Sequence, residues 1–462
     1  MEICYAQRDL AEAAETICRM AREAGGRALL VGGGVRDAAL GLAAKDLDFE
    51  VYGVDPGRLR RLIGARFPLD LVGQAFGVLK LRRLPVDISV PRRESKAGLG
   101  HRGFEVMADP SLTPAEAARR RDFTMNAIAW DPLTGEVIDP FGGMADLEAK
   151  RLRHVSDQFG EDPLRVLRGM QLAARFELEA DPATLALCRS IGFEDLVPER
   201  VFEEWRKLLL LGRRPSLGLS FLQDSGWVRY FPELEALIGC PQDPAWHPEG
   251  TVWVHTGHCL DAFAAERTGL DTEDLIVGLA ILCHDLGKPA ATRFEEGRIR
   301  SPGHEAAGEA PTRAFLGRMT RQRDLIEAVI PLVLAHLRPQ ELFDAQAGDS
   351  AVRRLARRVG RIDRLVRVAR ADQQGRPPRP FDGFPAGAWL IERATALKVR
   401  DSAPKPIVMG RHLEQLGLVP GPAFRPILDA CYEAQLDGQF HTLDQGLALA
   451  RRQIQKTESH RQ

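Results

Sequence analysis

The apolar residues of this chain change their spacing near residue 155, and this change limits the possible folds. Before it, DLDFEVYGV (46–54) and VLKLRRLPVDISV (78–90) alternate apolar and polar residues, which is the period of a β-strand. After it, segments such as PERVFEEWRKLLLLG (198–212) repeat apolar residues every three or four positions, which is the helical period. The sequence therefore predicts an α/β head followed by a long, mostly α-helical region.

Composition places the chain among cytoplasmic proteins. The seven cysteines are scattered and form no CxxC pair, so neither a disulfide framework nor a zinc ribbon is indicated. The N-terminal MEICYAQRDLAEAAET is acidic where a signal peptide is basic, and no stretch reaches the roughly 18 apolar residues of a membrane span. The net charge of −1 does not exclude a nucleic-acid partner, because a basic face and an acidic face cancel in the sum.

Three glycines, Gly32, Gly33 and Gly34, separate the predicted strand ALLV from a predicted short helix that carries Arg36 and Asp37. Glycines at such a turn let backbone N–H groups approach a phosphate closely. A tight turn with a buried Arg–Asp pair would give the same pattern. The glycine turn alone leaves both interpretations open.

Two carboxylates follow about ten residues later, in Asp46-Leu47-Asp48 at the start of the next predicted strand. Residues two apart on a strand face the same side, and two adjacent carboxylates repel unless a cation neutralises them. Mg²⁺ prefers such oxygen ligands together with substrate phosphates. Asp87 lies on a later strand and either completes this site, accepts a proton from the attacking hydroxyl, or is a surface acid.

The order of these motifs resembles the class II tRNA nucleotidyltransferase and bacterial poly(A) polymerase superfamily. Similar to its motifs are, in chain order, GGxVRD, the DxD pair, RRDFTMNA (120–127), DPFGG with DL (139–147), EDPLR (161–165) and ERV with EW (199–205). The resemblance implies a polymerase-β-like head, and a reaction in which a tRNA 3′-OH attacks the α-phosphate of CTP or ATP while Asp46 and Asp48 hold Mg²⁺. The implied nucleotide-binding residues are Gly33, Gly34, Arg36, Arg120, Arg121, Asp122, Asn126, Asp162, Arg165 and Arg168.

Asp162 and Arg165 suit a base-selecting role on chemical grounds as well. The sequence predicts both on one helix face, three residues apart. A carboxylate accepts from an exocyclic amine and a guanidinium donates to a ring nitrogen, a pattern that cytosine and adenine offer and guanine and uracil do not. In the resembled family this pair serves as a protein template. A surface salt bridge is the alternative interpretation.

The segment 91–119 resembles the flexible loop that full CCA-adding enzymes use to change from C to A. This favours complete CCA addition over a CC-only enzyme, while an A-adding enzyme stays open. Poly(A) synthesis is the other alternative, although the C-terminal RRQIQKTESHRQ is only mildly basic. Gln171 stands where many relatives carry a further arginine, and the sequence does not predict its effect.

A second site is predicted in the helical region. The order HTxxH, HDLGK and a later aspartate is similar to the HD phosphohydrolase superfamily, and imidazole with carboxylate binds divalent metals well. Candidate ligands for Mn²⁺, Ni²⁺, Co²⁺ or Mg²⁺ are His255, His284, Asp285 and Asp372, with His304 and His336 as ligands of a second ion. The resemblance implies a possible phosphatase and 2′,3′-cyclic phosphodiesterase.

A basic stretch at 351–370 pairs an apolar face with an arginine-rich one. Candidate RNA-binding residues are Arg353, Arg357, Arg361 and Arg364, and a solvated helix face is the alternative. We expect a nucleotidyltransferase head at 1–150, a helical neck at 151–240, and a helical HD and tRNA-binding region at 241–462. Two rival interpretations are an HD phosphohydrolase whose head only binds nucleotide, and a non-catalytic RNA-binding relic.

Overall fold

The structure is a computed structural model that describes residues 3–70, 77–96 and 104–459. The chain divides into two compact units, Met1–Tyr230 and Phe231–Gln462, which we call the N-terminal and C-terminal units. The predicted fold class, an α/β head followed by a mostly helical region, is confirmed. The predicted subdivision at residues 150 and 240 stays a prediction.

The N-terminal unit contains both strands and helices. Its strands are β1 (Arg27–Val31), β2 (Leu47–Tyr52), β3 (Leu69–Asp70), β4 (Val78–Leu81), β5 (Val86–Ser89), β6 (Arg92–Lys96), β7 (Phe104–Ala108), β8 (Ala129–Trp130), β9 (Val137–Ile138), β10 (Arg151–Leu152) and β11 (Glu179–Ala180). Its helices are α1 (Arg8–Glu23), α2 (Gly33–Ala39), α3 (Pro56–Arg66), α4 (Pro114–Ala118), α5 (Gly143–Glu148), α6 (Leu164–Phe176), α7 (Pro182–Ser190), α8 (Pro198–Leu211) and α9 (Pro215–Asp224).

A seven-stranded mixed sheet in the order β3-β4-β5-β2-β1-β8-β9 forms the centre of the head. β1 is almost fully buried because α1 packs against it, and α1 presents Leu10, Ile17 and Ala21 at helical spacing on its buried face. β2 pairs antiparallel with β1 and parallel with β5. Because β2 is paired on both sides, its first residues are held in place where the central strands of the sheet end.

The helical end of the N-terminal unit is built around α6, which packs against α8 and α9. Most of α6 is buried, including Leu167 and Met170, and α8 buries Trp205 and Leu208 against it. Burial of such apolar side chains stabilises a fold by about 1.5–3 kcal/mol each. The start of α6 is therefore a rigid support for the residues just before it.

The C-terminal unit is helical apart from one hairpin, β12 (Arg293–Glu295) with β13 (Arg298–Arg300). Its helices are α10 (Pro232–Glu235), α11 (Val252–Ala265), α12 (Asp271–Cys283), α13 (Lys288–Ala291), α14 (His304–Ala307), α15 (Glu309–Met319), α16 (Arg323–Val333), α17 (Arg338–Asp344), α18 (Asp349–Val359), α19 (Ile362–Gln374), α20 (Pro385–Ala396), α21 (Gly410–Gln415), α22 (Phe424–Leu436) and α23 (Leu443–Ser459). Helices α11, α12 and α19 pack on one another. None of the helices in the described ranges combines the length and the apolar character that a membrane-spanning segment needs.

The basic stretch at 351–370 is two helices and not one. Gly360 has φ +72°, a conformation that glycine adopts without strain, and it ends α18 before α19 begins at Ile362. The sequence pattern suggested one continuous basic face. The glycine instead changes the direction of the chain in the middle of that pattern.

Candidate active site in the head and candidate metal centre in the C-terminal unit

The predicted nucleotide-binding motifs converge on one crevice of about 300 Å³ in the N-terminal unit. They come from positions more than 150 residues apart in the sequence, and the fold of the head with α6 and α8 brings them together. The residues that line the crevice are Gly32, Gly33, Arg36, Asp48, Arg121, Asp122, Asn126, Asp162, Arg165, Arg168 and Arg200.

Asp48 lies at the start of β2, directly opposite Asp87 of β5 in the parallel register. Asp46 precedes β2 by one residue, so it does not lie on the strand as the sequence predicted; the pairing of β2 with β1 begins at Asp48 and its pairing with β5 begins at Leu47. The restricted solvent around Asp48 and the charges of Asp46 and Asp87 raise the pKa of Asp48 to about 6, although Arg121 opposes this shift and the residue stays partly exposed. The three carboxylates therefore outnumber the two cations, Arg121 and Lys80, that act on Asp48.

Asp87 has one cation nearby, because Lys80 of β4 lies 2.5 Å from its Oδ2 atom. Both side chains are partly exposed, so this pair contributes little to stability. Its location matters more, since it places an ammonium group beside the carboxylate cluster. Because Asp87 is paired with Lys80 and lies opposite Asp48, it is not an isolated surface acid.

Gly32 forms the turn between β1 and α2 with φ +74°. A Cβ atom there would lie 3.2 Å from Nη1 of Arg121 and 3.6 Å from Oδ2 of Asp48, so a side chain would crowd both functional groups. At Gly34 a Cβ would lie 3.1 Å from the carbonyl oxygen of Asp46. The glycines thus allow the turn to approach the carboxylates closely.

Arg36 is buried and does not project freely into the crevice. It forms a 2.6 Å ion pair with Asp37 and donates a 2.8 Å hydrogen bond to Oδ1 of Asn126. The buried Arg–Asp pair that the sequence left open is present. Arg36 still lines the crevice, so the structural and the functional interpretations apply to the same side chain.

Asp122 is a buried hub of the crevice wall. It accepts hydrogen bonds from the backbone N–H of Phe123 and from Asn126, both at 2.8 Å, and from Nε of Arg168 at 2.7 Å. Burial alone would raise its pKa, but Arg168 and these hydrogen bonds hold the pKa at about 2. Asp122 therefore orients Asn126 and Arg168 and is itself fully occupied.

Glu50 was not predicted from the sequence, and it anchors two predicted residues. It is 2% exposed on β2, accepts a 2.8 Å hydrogen bond from Arg120, and lies 3.6 Å from Nη2 of Arg121. Tyr52 donates a further 2.9 Å hydrogen bond to it. Burial disfavours its charge, yet both arginines hold the pKa of Glu50 below its usual value. Its position two residues after Asp48 was the only available signal.

Asp162 and Arg165 both face the crevice, but only Arg165 lies on α6. Asp162 is extended, with φ −120° and ψ 102°, because the residue before a proline is disfavoured in helical conformation. The prediction that both lie on one helix is therefore wrong. Asp162 accepts from Arg200 at 3.1 Å, and Arg165 donates to the carbonyl oxygens of Gln158 and Arg120, each at 2.6 Å.

Residues 97–103 of the loop that favours full CCA addition lie outside the described residues, and its flanking strands β6 and β7 pair antiparallel. On α6, Gln171 is 5% exposed, and its Oε1 atom has no hydrogen-bond partner in the described ranges. Gln171 therefore places a buried amide oxygen on α6.

Four histidines of the C-terminal unit have their Nε2 atoms within 4.0 Å of a carboxylate oxygen of Asp285. In each ring the Nδ1 atom lies 2.7–3.0 Å from a backbone carbonyl oxygen, which fixes the orientation of the ring. The histidines and their carbonyl partners are His255 with Gly375, His284 with Ile281, His304 with Ser301, and His336 with Val333.

Asp285 lies at the centre of this group. One oxygen is 3.2 Å from Nε2 of His284, and the other is 3.3 Å from Nε2 of His304 and 4.0 Å from that of His336. Asp372 lies 3.0 Å from Nε2 of His255. The four ligands predicted from the sequence, and the two proposed for a second ion, are thus brought together by the fold.

Several atoms of this cluster lack hydrogen bonds. Nε2 of His284 and both carboxylate oxygens of Asp285 are buried and make no contact of hydrogen-bond geometry in the described ranges, although Nζ of Lys288 lies 2.7 Å from Oδ2 of Asp285. Such groups are costly unless something satisfies them. Burial lowers the pKa of His336 to about 3, so this ring is neutral, and its Nε2 atom lies 3.3 Å from Nε2 of His304. The donor set of imidazoles and carboxylates fits a divalent metal.

Glu249 and His247 lie behind the ligand His255 and were not predicted from the sequence. Glu249, whose side chain is fully buried, lies with Oε1 2.8 Å from Nδ1 of both His247 and His255. A carboxylate behind a ligating histidine fixes its tautomer and strengthens it as a ligand. Glu249 precedes His255 by six residues with no helical or strand periodicity between them, so no pattern in this segment indicated the contact.

The four arginines predicted to contact RNA are Arg353, Arg357, Arg361 and Arg364. Each has a partner within the C-terminal unit. Arg353 donates to the carbonyl oxygen of Leu436, and Arg357 pairs with Glu433. Arg361 pairs with Asp363 at 2.6 Å, and Arg364 with Glu273 at 2.7 Å. The RNA role of these residues stays a prediction, and the structure provides an alternative use for each.

The mixed sheet, with a carboxylate cluster at the start of β2 and an arginine-lined crevice of about 300 Å³ beside it, defines a nucleotidyltransferase. The family model of the Poly A polymerase head domain matches residues 28–153. A "Multifunctional CCA protein" of Xanthomonas campestris is 40% identical over 389 residues, which cover 81% of this chain and 92% of that protein. One of Xylella fastidiosa is 36% identical over 392 residues, covering 81% and 91%. This chain belongs to the multifunctional CCA protein family.

Solved structures agree with this fold. The Bacillus stearothermophilus CCA-adding enzyme in complex with CTP is 21% identical and matches with a TM-score of 0.64, covering 98% of this chain and 100% of that one. The Thermotoga maritima CCA-adding enzyme complexed with tRNA is 17% identical, with a TM-score of 0.58 and coverage of 97% and 96%. At this identity the likeness shows the fold.

Proposed function

We propose that this protein adds or repairs the 3′-terminal CCA of tRNA in the cytoplasm, using CTP and ATP without a nucleic-acid template. The observation that carries the proposal is the convergence of the DxD, RRDFT, EDPLR and ERV motifs on one crevice. The names of the related proteins support the same substrates. The free state of all seven cysteines supports a reducing compartment.

A divalent cation fits the head. Asp46 and Asp48 would hold it, with Asp87 beside them, because burial and the charges of Asp46 and Asp87 raise the pKa of Asp48 although Arg121 and Lys80 oppose them. Mg²⁺ suits such a set of carboxylates. When bound, divalent ions lower the pKa of the attacking hydroxyl and offset the charge of the pyrophosphate that leaves.

The other residues of the crevice bind and orient the nucleotide. Arg121 and Arg168 supply positive charge near Asp48 for the triphosphate, and Asp122 keeps Asn126 and Arg168 in place. Asp162 and Arg165 would read the base, since together they offer an acceptor for an exocyclic amine and a donor for a ring nitrogen. Arg200 and two backbone carbonyl groups orient these two side chains at the crevice.

The test is to incubate the protein with tRNA that lacks its CCA end, with CTP alone, with ATP alone and with both, in the presence of Mg²⁺. We expect addition of CC with CTP and completion only when ATP is added. Addition of A alone to tRNA that ends in CC would indicate an A-adding enzyme. Long A tails on unrelated RNA would indicate a poly(A) polymerase, and no extension at all would contradict a catalytic head.

We also propose a metal-dependent phosphohydrolase in the C-terminal unit. It is favoured by the buried carboxylate of Asp285, which has the Nε2 atoms of His284, His304 and His336 within 4.0 Å. His255 and Asp372 complete the set, and the metal would supply an activated water and charge for a phosphate ester. A cavity of about 220 Å³ adjoins the cluster and gives a substrate access to it.

This second activity is tested with 2′,3′-cyclic AMP in the presence of Mn²⁺, Ni²⁺, Co²⁺ or Mg²⁺. We expect hydrolysis with at least one ion, and loss of hydrolysis in Asp285→Asn. The matched control is Asp48→Asn, which removes a carboxylate from the head and should leave this hydrolysis unchanged. Absence of hydrolysis with all four ions would refute the proposal while leaving the CCA activity intact.

A further inference from the structure

Trp246 is an exposed aromatic residue at the cavity that adjoins the metal-ligand cluster. It is 56% exposed, whereas most large apolar side chains of this chain are buried. The same cavity is lined by Asp285, His304 and Asp372 of the cluster. An apolar ring of this size in contact with water is unfavourable, so its place at a catalytic cavity suggests a ligand.

The position of Trp246 is fixed by the surrounding chain. The segment from Asp243 to His247 is a closed turn, in which the N–H groups of Trp246 and His247 donate to the carbonyl oxygen of Asp243 at 3.0 and 2.8 Å. The guanidinium of Arg379 lies 5.4 Å from the centre of the indole ring and donates to the carbonyl oxygen of Trp246. The ring therefore does not need to be ordered when a ligand binds.

Trp246 is also linked to the metal-ligand cluster. The next residue, His247, contacts Glu249, and Glu249 contacts the ligand His255. The distance between the ring and the cluster is thus set by short contacts and not by a flexible loop. A ligand that reaches both must have a phosphate group and a flat apolar group at a defined separation.

The inner part of the cavity contains two cations, each paired with a carboxylate of the cluster. Lys288 lies 2.7 Å from Asp285, and Arg376 lies 2.8 Å from Asp372, so a phosphate on the proposed metal ion would lie beside both cations. The outer part offers a ring on which a base can stack, an interaction that tolerates any base. A nucleoside phosphate combines both features, whereas a simple phosphate ester uses only the inner part.

We propose that Trp246 is the base-stacking platform of the phosphohydrolase cavity, which therefore takes nucleoside phosphates such as the terminal nucleotide of an RNA. This inference rests on the proposed phosphohydrolase function. Trp246 determines specificity by binding the base, while the inner residues bind the phosphate. The cavity accordingly discriminates nucleoside phosphates from other phosphate esters.

The experiment compares binding of adenosine 2′-monophosphate and of inorganic phosphate to the full chain by calorimetry, with Mn²⁺ present. In Trp246→Ala, we expect nucleotide affinity to fall roughly tenfold, as for one lost base stack, and phosphate affinity to stay unchanged. Trp246→Phe should retain most of the nucleotide affinity. Phe294→Ala is the matched control, because Phe294 is 73% exposed in the same unit but does not line this cavity.

Kinetics with 2′,3′-cyclic AMP provide a second measurement, in which Trp246→Ala should raise KM and leave kcat nearly unchanged. Equal loss of nucleotide and phosphate binding would overturn the proposal, since Trp246 would then only support the cavity. Unchanged nucleotide binding would overturn it as well. Wild-type protein that binds the nucleotide through Trp246 but does not hydrolyse the cyclic substrate would retain the stacking site and refute only the phosphohydrolase.

Discussion

Replacing Asp122 with asparagine should destabilise the N-terminal unit in a pH-dependent way. The contacts of Asp122 with Arg168, Asn126 and Phe123 hold its pKa at about 2, compared with an ordinary value of 3.8. This difference corresponds to roughly 2 kcal/mol of stability at neutral pH. Because the folded-state pKa is depressed, the contribution is complete above about pH 4 and is lost as the pH falls through about 2. An asparagine would also place an NH₂ group against the guanidinium of Arg168.

Calorimetric unfolding of wild type and Asp122→Asn at pH 7 should therefore show a Tm lower by roughly 4–8 °C for the transition of the N-terminal unit. The difference should shrink as the pH is lowered towards 3. Asp224→Asn is the control, because it removes the same charge at an exposed position of the same unit. A Tm difference that is absent at pH 7, or that grows on acidification, would refute this account of the Asp122 hub.

Three further changes test the two sites. Asp48→Asn should slow nucleotide addition roughly a thousandfold through loss of metal charge, with tRNA binding retained, as measured in single-turnover extension. Asp162→Ala should reduce the preference for CTP over UTP roughly tenfold, measured by misincorporation, because one base contact is lost. Glu249→Gln should weaken Mn²⁺ binding to the C-terminal unit by about 10–100-fold, measured by calorimetry, because His255 loses its carboxylate partner.

Each of these has a result that would contradict it. Asp48→Asn with wild-type extension rates would remove the carboxylate pair from the mechanism. For Asp162→Ala, an unchanged ratio of CTP to UTP would mean that Asp162 serves only Arg200, and exposed Asp157→Asn is the control. Unaltered Mn²⁺ affinity in Glu249→Gln would show that the carbonyl group of Gly375 is sufficient to orient His255.

The residues of the head crevice could be predicted because their spacing reflects local geometry. The apolar strand before Gly32 and the alternating segment after Asp46 specify β1 and β2, and these bring the glycine turn to the carboxylates. The same applies to His284 and Asp285, which are adjacent in the chain. Local patterns of this kind depend on the backbone, and the sequence displays them directly.

Contacts between distant segments could not be predicted in the same way. Arg120 and Glu50 are seventy residues apart, and their contact depends on the docking of a loop on the sheet. The helical spacing of the four arginines proposed for RNA binding correctly predicts a helix on each side of Gly360. This spacing does not show which acidic residues the arginines contact. Ion pairs such as Arg364 with Glu273 arise only when the helices pack.

The backbone carbonyl groups behind the four histidines of the C-terminal unit have a consequence for how this protein can be handled. Rings that are already oriented do not have to be ordered by the ion, so little of the ion's binding free energy is spent on folding. Chelation should consequently empty the centre without unfolding the helices, in contrast to small domains whose metal creates the fold. One purified sample could then be reloaded with different ions in turn, and the preference among them would reflect coordination chemistry alone.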